Sequence, residues 1–485
     1  MPQFLAFDLG ASGGRAVLGT LSGGRLDLKE AHRFPNGPVN VRGTLFTDAL
    51  RLWTEIGEGF RQVEGADLAG VGVDTWGVDF GLLDERGALI SNPVHYRDSR
   101  TDGVMERVFA IVPRREIFEQ TGIQFMPLNM IFQLYAMVLN GDPSLRHAAR
   151  LLNLPDLFGY WLTGRAVSEF TIATTTQCYN PRTGTWTTDL LRRLGIPTHI
   201  LGEIVPPGTV LGPVTADVPG AERGIPVIAV GGHDTASAVA AVPAEGENFV
   251  YISSGTWSLM GAEVREPVIT DKSLEFNFTN EGGVNHTIRL LKNITGMWLL
   301  QECRRVWAEA GQVYSYDALT QMAADAPPFG PLVDPDCPDF IAPGDMPARI
   351  RAFWARTGQP APTDPGAMIR CTLESLALKY RFTLERLETL LGRRMDVIHV
   401  LGGGSRNALL NQLTADATNR PVIAGPDEAT AIGNIMVQAI ATGHLASLEE
   451  GRAMVRRSSD LRRYEPHPSA AWDAAYARFL DMVEA

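Results

Sequence analysis

A single pattern that occurs twice, about half a chain apart, constrains this sequence most. Residues 3–9 form a short apolar run carrying Asp8. The small-residue stretch Gly10-Ala11-Ser12-Gly13-Gly14-Arg15 follows, and then a second apolar run, AVLGTL. The segment NFVYISSGTWSLMGAEV at 248–264 has the same layout. Two apolar runs around small, turn-forming residues read as paired strands. One such pair opening each half predicts two related α/β domains, with the boundary placed near 243, hence 1–243 and 244–485. A chain of 485 residues agrees with that division, since domains run to roughly 100–200 residues.

The connecting segments fit an α/β chain. LAGVGVDTWGVDFGLLD at 68–84 is again an apolar run, a polar interruption and a second apolar run. From about 105 to 165 apolar residues recur at helical spacing, and the same texture returns at 293–311 and 366–391. IPVIAVGGHD at 225–234 reads as a buried strand entering a glycine turn. HVLGGGSRNALLNQLTADAT at 399–418 reads as strand, glycine turn and helix, and the Pro-rich stretch at 326–347 as a surface loop or a subdomain connection.

Composition removes several classes of function. A formal charge of -12 speaks against a nucleic-acid-binding surface, which needs clustered Lys and Arg. No apolar run approaches the length of a membrane span, and the N-terminus begins as a strand without the basic and apolar regions of a signal peptide. The four cysteines, Cys178, Cys303, Cys337 and Cys371, lie far apart with no CxxC spacing. They read as free thiols of a reducing compartment and not as zinc ligands. The expectation is a soluble, cytoplasmic protein that binds neither membrane nor nucleic acid.

Five segments could carry chemistry. Small residues at Ala11, Ser12, Gly13 and Gly14 allow backbone N–H groups close to an anion, and Asp8 could hold Mg²⁺ directly or through water. Ser253-Ser254-Gly255-Thr256-Trp257 repeats that logic, so two such turns could grip one polyphosphate. Gly402-Gly403-Gly404-Ser405 after VIHVL is a place where a nucleotide can lie on bare backbone. It is not GxGxxG, and no GxxxxGK[ST] occurs anywhere, so neither a dinucleotide fold nor a P-loop fits. In Gly231-Gly232-His233-Asp234-Thr235, an aspartate at a strand end could accept the proton of an attacking hydroxyl. Residue type and position alone also suit a helix N-cap, and the two roles are compatible. Asp74-Thr75-Trp76-Gly77-Val78-Asp79 and Tyr96-Arg97-Asp98-Ser99-Arg100 supply the carboxylates, arginines and aromatic rings that grasp sugar hydroxyls. Turn chemistry around a core Trp accounts for any one of these residues equally well.

These segments, in this order, resemble the FGGY carbohydrate kinases of the actin, hexokinase and Hsp70 ATPase superfamily, and the likeness runs nearly the whole chain. Within that family DLGASGGR, GVDTWGVDF, YRDSRTDG, HDTASAV, SSGTWSLMG, LKNITGMWLLQ and VIAGPDEATAIGN are most similar to the rhamnulokinases. The resemblance implies two RNase-H-like α/β domains with an interdomain cleft, the sugar held mainly by the N-terminal one and ATP with Mg²⁺ mainly by the C-terminal one. It implies Asp234 as general base. Gly77, His233, Asp234, Thr235 and Asn293 are then expected on the sugar, L-rhamnulose, and Ala11, Ser12, Gly13, Gly14, Arg15, Thr256, Gln301 and Gly403 on ATP. Two departures stand out. Rhamnulokinases commonly have two serines in the first loop, where this chain has Ser12 followed by Gly13, and Gly231-Gly232 precedes His233 where the pattern varies. The alternatives are a kinase for another ketose, such as L-fuculose or D-xylulose, and a non-catalytic sensor of sugar or ATP on the same fold.

Overall fold

The computed structural model describes residues 1–483 apart from 216, 217, 219, 220, 222, 223 and 468. The chain divides into two compact units. The first comprises Met1–Pro243, Glu263–Leu290 and Ala429–Ser458; the second comprises Ala244–Ala262, Leu291–Glu428 and Ser459–Ala485.

In the first unit the opening apolar run forms strand β1 (Gln3–Gly10), which turns through only Ala11 and Ser12 into β2 (Gly13–Ser22). Gly13, Gly14 and Arg15 are therefore strand residues and not part of a broad loop. Asp8 pairs directly opposite Arg15 in that hairpin. Strand β3 (Arg25–Pro35) extends the antiparallel meander. On its other side β1 pairs in parallel with β4 (Leu68–Thr75). Strands β5 (Thr209–Pro213) and β6 (Pro226–Ala229) complete the order β5-β6-β4-β1-β2-β3. The sheet has a dry face because alternate strand residues are apolar and point to one side. Leu5, Phe7, Leu9, Val71 and Val227 pack there with Ile56 and Phe60 of the helix Ala49–Arg61 and Leu157 and Phe158 of the helix Leu154–Thr163. The run after Gly77 does not return alongside β4. Phe80–Leu83 instead pairs with Arg150–Asn153 in a small separate ladder.

The second unit repeats the scheme. Strand β7 (Phe249–Ser254) turns through Gly255 and Thr256 into β8 (Trp257–Val264). The sheet includes the run β9-β8-β7-β10-β11-β12, with β9 Ile288–Thr295, β10 Val397–Leu401, β11 Val422–Ala424 and β12 Arg462–Tyr464. Each unit thus has an antiparallel hairpin whose first strand continues into a parallel pair, the RNase-H-like arrangement. The 27-residue helix Pro365–Leu391 begins where Asp364 accepts from the Ala367 N–H, and ends at Gly392, whose φ of 65° suits a left-handed cap. It buries Leu376, Ala377, Tyr380, Leu384 and Leu387. One segment read as helical at 293–311 is divided: residues up to Thr295 are strand β9, and the helix is Trp298–Glu309. Asn293 therefore stands on a strand. All four cysteines are free, and three are buried. Among the described residues no helix is long and apolar enough to cross a membrane.

Candidate active site

In the first unit the carboxyl ends of the three parallel strands bring the acidic residues together. Asp8 on β1 and Asp74 on β4 are register partners. Beyond β6, His233 bridges in parallel to Thr75, and the Thr75 N–H donates to the Gly232 carbonyl at 2.9 Å. Ligands of open α/β sheets collect at strand carboxyl ends, and here that end carries Asp8, Asp74 and Asp234.

Each carboxylate has a different environment. Asp8 Oδ2 accepts from Arg15 Nε at 3.0 Å and a second guanidinium nitrogen at 2.7 Å, so the first turn supplies the counter-ion of its own aspartate. Asp74 is fully buried. Its Oδ2 accepts from Asn434 Nδ2 at 2.6 Å, while Oδ1 has no hydrogen-bond partner. Burial pushes Asp74 well above the usual carboxylate range, and the charge of Asp8 adds to the rise. Asp234 keeps 30% of its side chain exposed. Burial by its surroundings nonetheless raises it; His233 pulls the other way, and Asp8 reinforces the rise. A carboxylate raised by burial is a better proton acceptor than a solvated one.

Asp234 is not the N-cap of its helix. The helix Asp234–Ala240 is capped by His233, and Asp234 is its first residue. Its Oδ1 accepts from the Thr235 N–H at 2.5 Å and the Thr235 hydroxyl at 3.1 Å. The loop before it is anchored from behind by Glu169, which accepts from the Gly232 N–H at 3.0 Å and the Thr171 hydroxyl at 2.6 Å. That hydroxyl oxygen in turn accepts from the His233 N–H at 3.2 Å. Gly77 faces His233: a Cβ there would stand 3.7 Å from His233 Nε2. Gly77, His233, Asp234, Thr235, Asp8 and Arg15 thus belong to one unit.

Asp79 closes this region. It is buried, accepts from the Thr47 hydroxyl at 2.6 Å, and leaves Oδ1 without a partner. Burial raises it to about 7. A folded-state value above the ordinary one means that Asp79 contributes stability below the ordinary carboxylate range and loses it as pH rises towards about 7. Thermal midpoints of wild type and Asp79→Asn, measured across that range, should therefore shift in favour of the variant with rising pH. A constant difference would refute the assignment. Nearby, Arg100 donates to Gln133 and lies 6.0 Å above the Phe80 ring, while Arg97 Nε donates to the Tyr96 hydroxyl at 3.0 Å.

The second unit gathers a different group. Thr256, at the tip of the β7–β8 turn, donates through its hydroxyl to Gln301 Oε1 at 3.0 Å. The turn is pinned by the Met297 N–H donating to the Gly255 carbonyl at 3.0 Å and the Gly296 N–H to the Thr256 carbonyl at 3.1 Å. Beside it the chain leaves β10 through Gly402, φ 74°, into a short 3-10 turn at Gly403–Arg406. A Cβ on Gly404 would fall 2.0 Å from Ser254 Oγ, so this turn lies directly on the hairpin; one on Gly403 would meet open space. The open backbone at Gly403 therefore lies beside the hairpin whose tip is Thr256, itself bonded to Gln301. Asn293 belongs to this unit as well.

Sequence reasoning missed four participants. Asn434 lies within VIAGPDEATAIGN, yet nothing local signals that it would bond Asp74 from 360 residues away. Glu281 and Arg289 sit in two unremarkable strand sequences, Thr279–Gly282 and Ile288–Thr295. Glu169 gives no signal beyond being an acid among apolar neighbours.

Comparison with known proteins agrees with this architecture. Residues 4–241 match the FGGY family of carbohydrate kinases, N-terminal domain, and residues 250–442 its C-terminal domain. The chain is 47% identical over 485 residues to a rhamnulokinase of Bacteroides thetaiotaomicron, covering 99% of both chains. It is 42% identical to a rhamnulokinase of Pectobacterium atrosepticum, covering 99% of this chain and 97% of the other. Among solved structures, a xylulose kinase from Rhodospirillum rubrum superimposes with a TM-score of 0.80 at 20% identity, covering 99% of this chain and 98% of that one. A gluconate kinase from Lactobacillus acidophilus gives a TM-score of 0.80 at 17% identity, covering 100% and 97%. This chain belongs to the FGGY family of carbohydrate kinases.

Proposed function

We propose that this carbohydrate kinase transfers the γ-phosphoryl group of ATP to the 1-hydroxyl of L-rhamnulose, giving L-rhamnulose 1-phosphate and ADP. The observation that carries the sugar assignment is the full-length likeness to rhamnulokinases, 47% identity with 99% of each chain covered. The division 1–243 for the sugar and base, and 244–485 for ATP, is part of the proposal.

In this reading Asp234 accepts the proton of the attacking hydroxyl. Its raised affinity for protons and its position as first residue of the helix that follows β6 support the role. Gly77, His233, Thr235 and Asn293 orient the sugar. Ala11 to Arg15 and Thr256 hold the phosphates, and Gln301 and Gly403 complete the nucleotide site. Mg²⁺ would offset phosphate charge and is assigned to Asp8, through water. A hard cation suits carboxylate oxygens and retains several waters, and the unpartnered Asp74 Oδ1 beside Asp8 is compatible with a cation close by. Among the described residues no three such side chains converge to ligate one ion directly, so water-mediated binding is the form that fits. The four free thiols support a cytoplasmic location.

Coupled ADP release with Mg²⁺-ATP tests the sugar across L-rhamnulose, L-fuculose, L-ribulose and D-xylulose. L-Rhamnulose should give the highest kcat/KM. If another sugar wins, the substrate assignment falls, and if none stimulates ADP release the enzyme reading itself falls.

A further inference from the structure

We infer that Arg289 is a positioning residue for the transfer: it makes His233 Nδ1 a hydrogen-bond acceptor and so places the ring hydrogen on Nε2, on the side of Asp234. The inference rests on the reading of Asp234 as the base.

The imidazole of His233 lies between two kinds of partner. Its Nε2 is 3.4 Å from Asp234 Oδ1. On the other side Nδ1 faces a nitrogen of Arg289 at 3.1 Å and Glu281 Oε2 at 3.3 Å. A guanidinium only donates, and stays charged even when buried. A carboxylate only accepts. One ring nitrogen cannot satisfy both, so the network decides the tautomer.

Three observations favour Arg289. Its side chain is fully buried and its Nε donates to the Gly282 carbonyl at 2.8 Å, which fixes the plane of the guanidinium. The same nitrogen that faces His233 also pairs with Glu281 Oε2 at 3.1 Å, so the carboxylate charge is already engaged. Of the two contacts to Nδ1, the arginine's has hydrogen-bonding geometry, whereas Glu281 Oε2, though 3.3 Å away, makes no hydrogen bond. With Nδ1 accepting, the hydrogen sits on Nε2, the nitrogen that lies 3.4 Å from Asp234 Oδ1. Remove the guanidinium, and Glu281 takes the hydrogen at Nδ1. Nε2 then presents a lone pair to Asp234 Oδ1, acceptor against acceptor, and the base loses its aim.

The tautomer is read directly by NMR of the full-length protein labelled with ¹⁵N-histidine. The signal lost in His233→Gln should show its hydrogen on Nε2 alone at neutral pH; a hydrogen on Nδ1, or on both nitrogens, overturns the inference. In kinetics, Arg289→Met should lower kcat by about 10²-fold, the scale of a misaimed catalytic group. The double variant Arg289→Met/Glu281→Leu should recover about tenfold of that loss, because no acceptor remains at that position to claim the Nδ1 hydrogen. A folded double variant no better than Arg289→Met overturns the inference. Should Arg289→Met fail to fold, Glu281→Gln alone decides: His233 must keep its hydrogen on Nε2, and a switch to Nδ1 overturns it. Normal turnover in Asp234→Asn would remove the base assignment while leaving the tautomer result intact, so the two failures are distinguishable.

Discussion

Asp234→Asn should lower kcat by about 10³-fold, within the range that general bases contribute, while leaving ATP binding in place. The amide cannot accept the hydroxyl proton, but its oxygen can still take the bonds from Thr235 that Asp234 Oδ1 accepts. The first turn of the helix therefore survives the change. The same substitution removes a carboxylate that its surroundings raise above its usual range. Such a group contributes stability at low pH and loses it as pH rises through the folded-state value. The inactive variant should accordingly gain thermal stability relative to wild type as pH increases. Single-turnover kinetics, nucleotide titration and melting at two pH values make the test complete. Wild-type turnover in the variant, or a melting difference of the opposite pH trend, would remove Asp234 from the role.

Gly433→Ala should damage both stability and turnover from a position outside the chemistry. A Cβ at Gly433 would lie 1.7 Å from the Ser237 carbonyl oxygen, closer than any non-bonded pair can approach. The helix Ala429–Ala441 and the helix Asp234–Ala240 meet backbone to backbone at this point. Ser237 cannot yield easily, because its hydroxyl donates to the Gly231 carbonyl at 2.7 Å. Separating the helices should cost about 3 kcal/mol, the upper part of the usual overpacking range. Since Ser237 is one turn from Asp234, the displacement reaches the base, and a shift of about 1 Å can cost about 10²-fold in rate. Unfolding midpoints and kcat together check this; a variant as stable and active as wild type would refute the account.

The features legible in the sequence were those set by local patterns. Asp8 in a small-residue hairpin, its counterpart at Thr256, and Asp234 after two glycines each follow from neighbours a few residues away. The features that escaped are set by partners distant in the chain. Phe80–Leu83 has the composition of a strand returning beside β4, but its ladder partner is Arg150–Asn153, and apolar periodicity does not encode partner choice. Residues 293–295 share apolar spacing with the helix that follows, so nothing in the spacing marks the break between strand and helix. Arg289 looks like an ordinary charged residue on a strand. Only its burial against Glu281 and His233 gives it a function.

The three-part composition of the first unit also bears on how the protein is made. The helix Ala429–Ala441 supplies Asn434 to Asp74, and Gln438 Nε2 to the Leu5 carbonyl at 3.0 Å, across 433 residues. At about 5–20 residues per second on the ribosome, the opening strands wait on the order of tens of seconds for the helix that completes them. During that interval Asp74 lacks its amide partner, and the surface around Gly19 and Gly72 that receives Ile435 and Asn434 stands open to solvent. The nascent first unit thus stays incomplete until nearly all of the chain has been synthesised, and truncation before residue 429 should yield an aggregating fragment rather than a sugar-binding half.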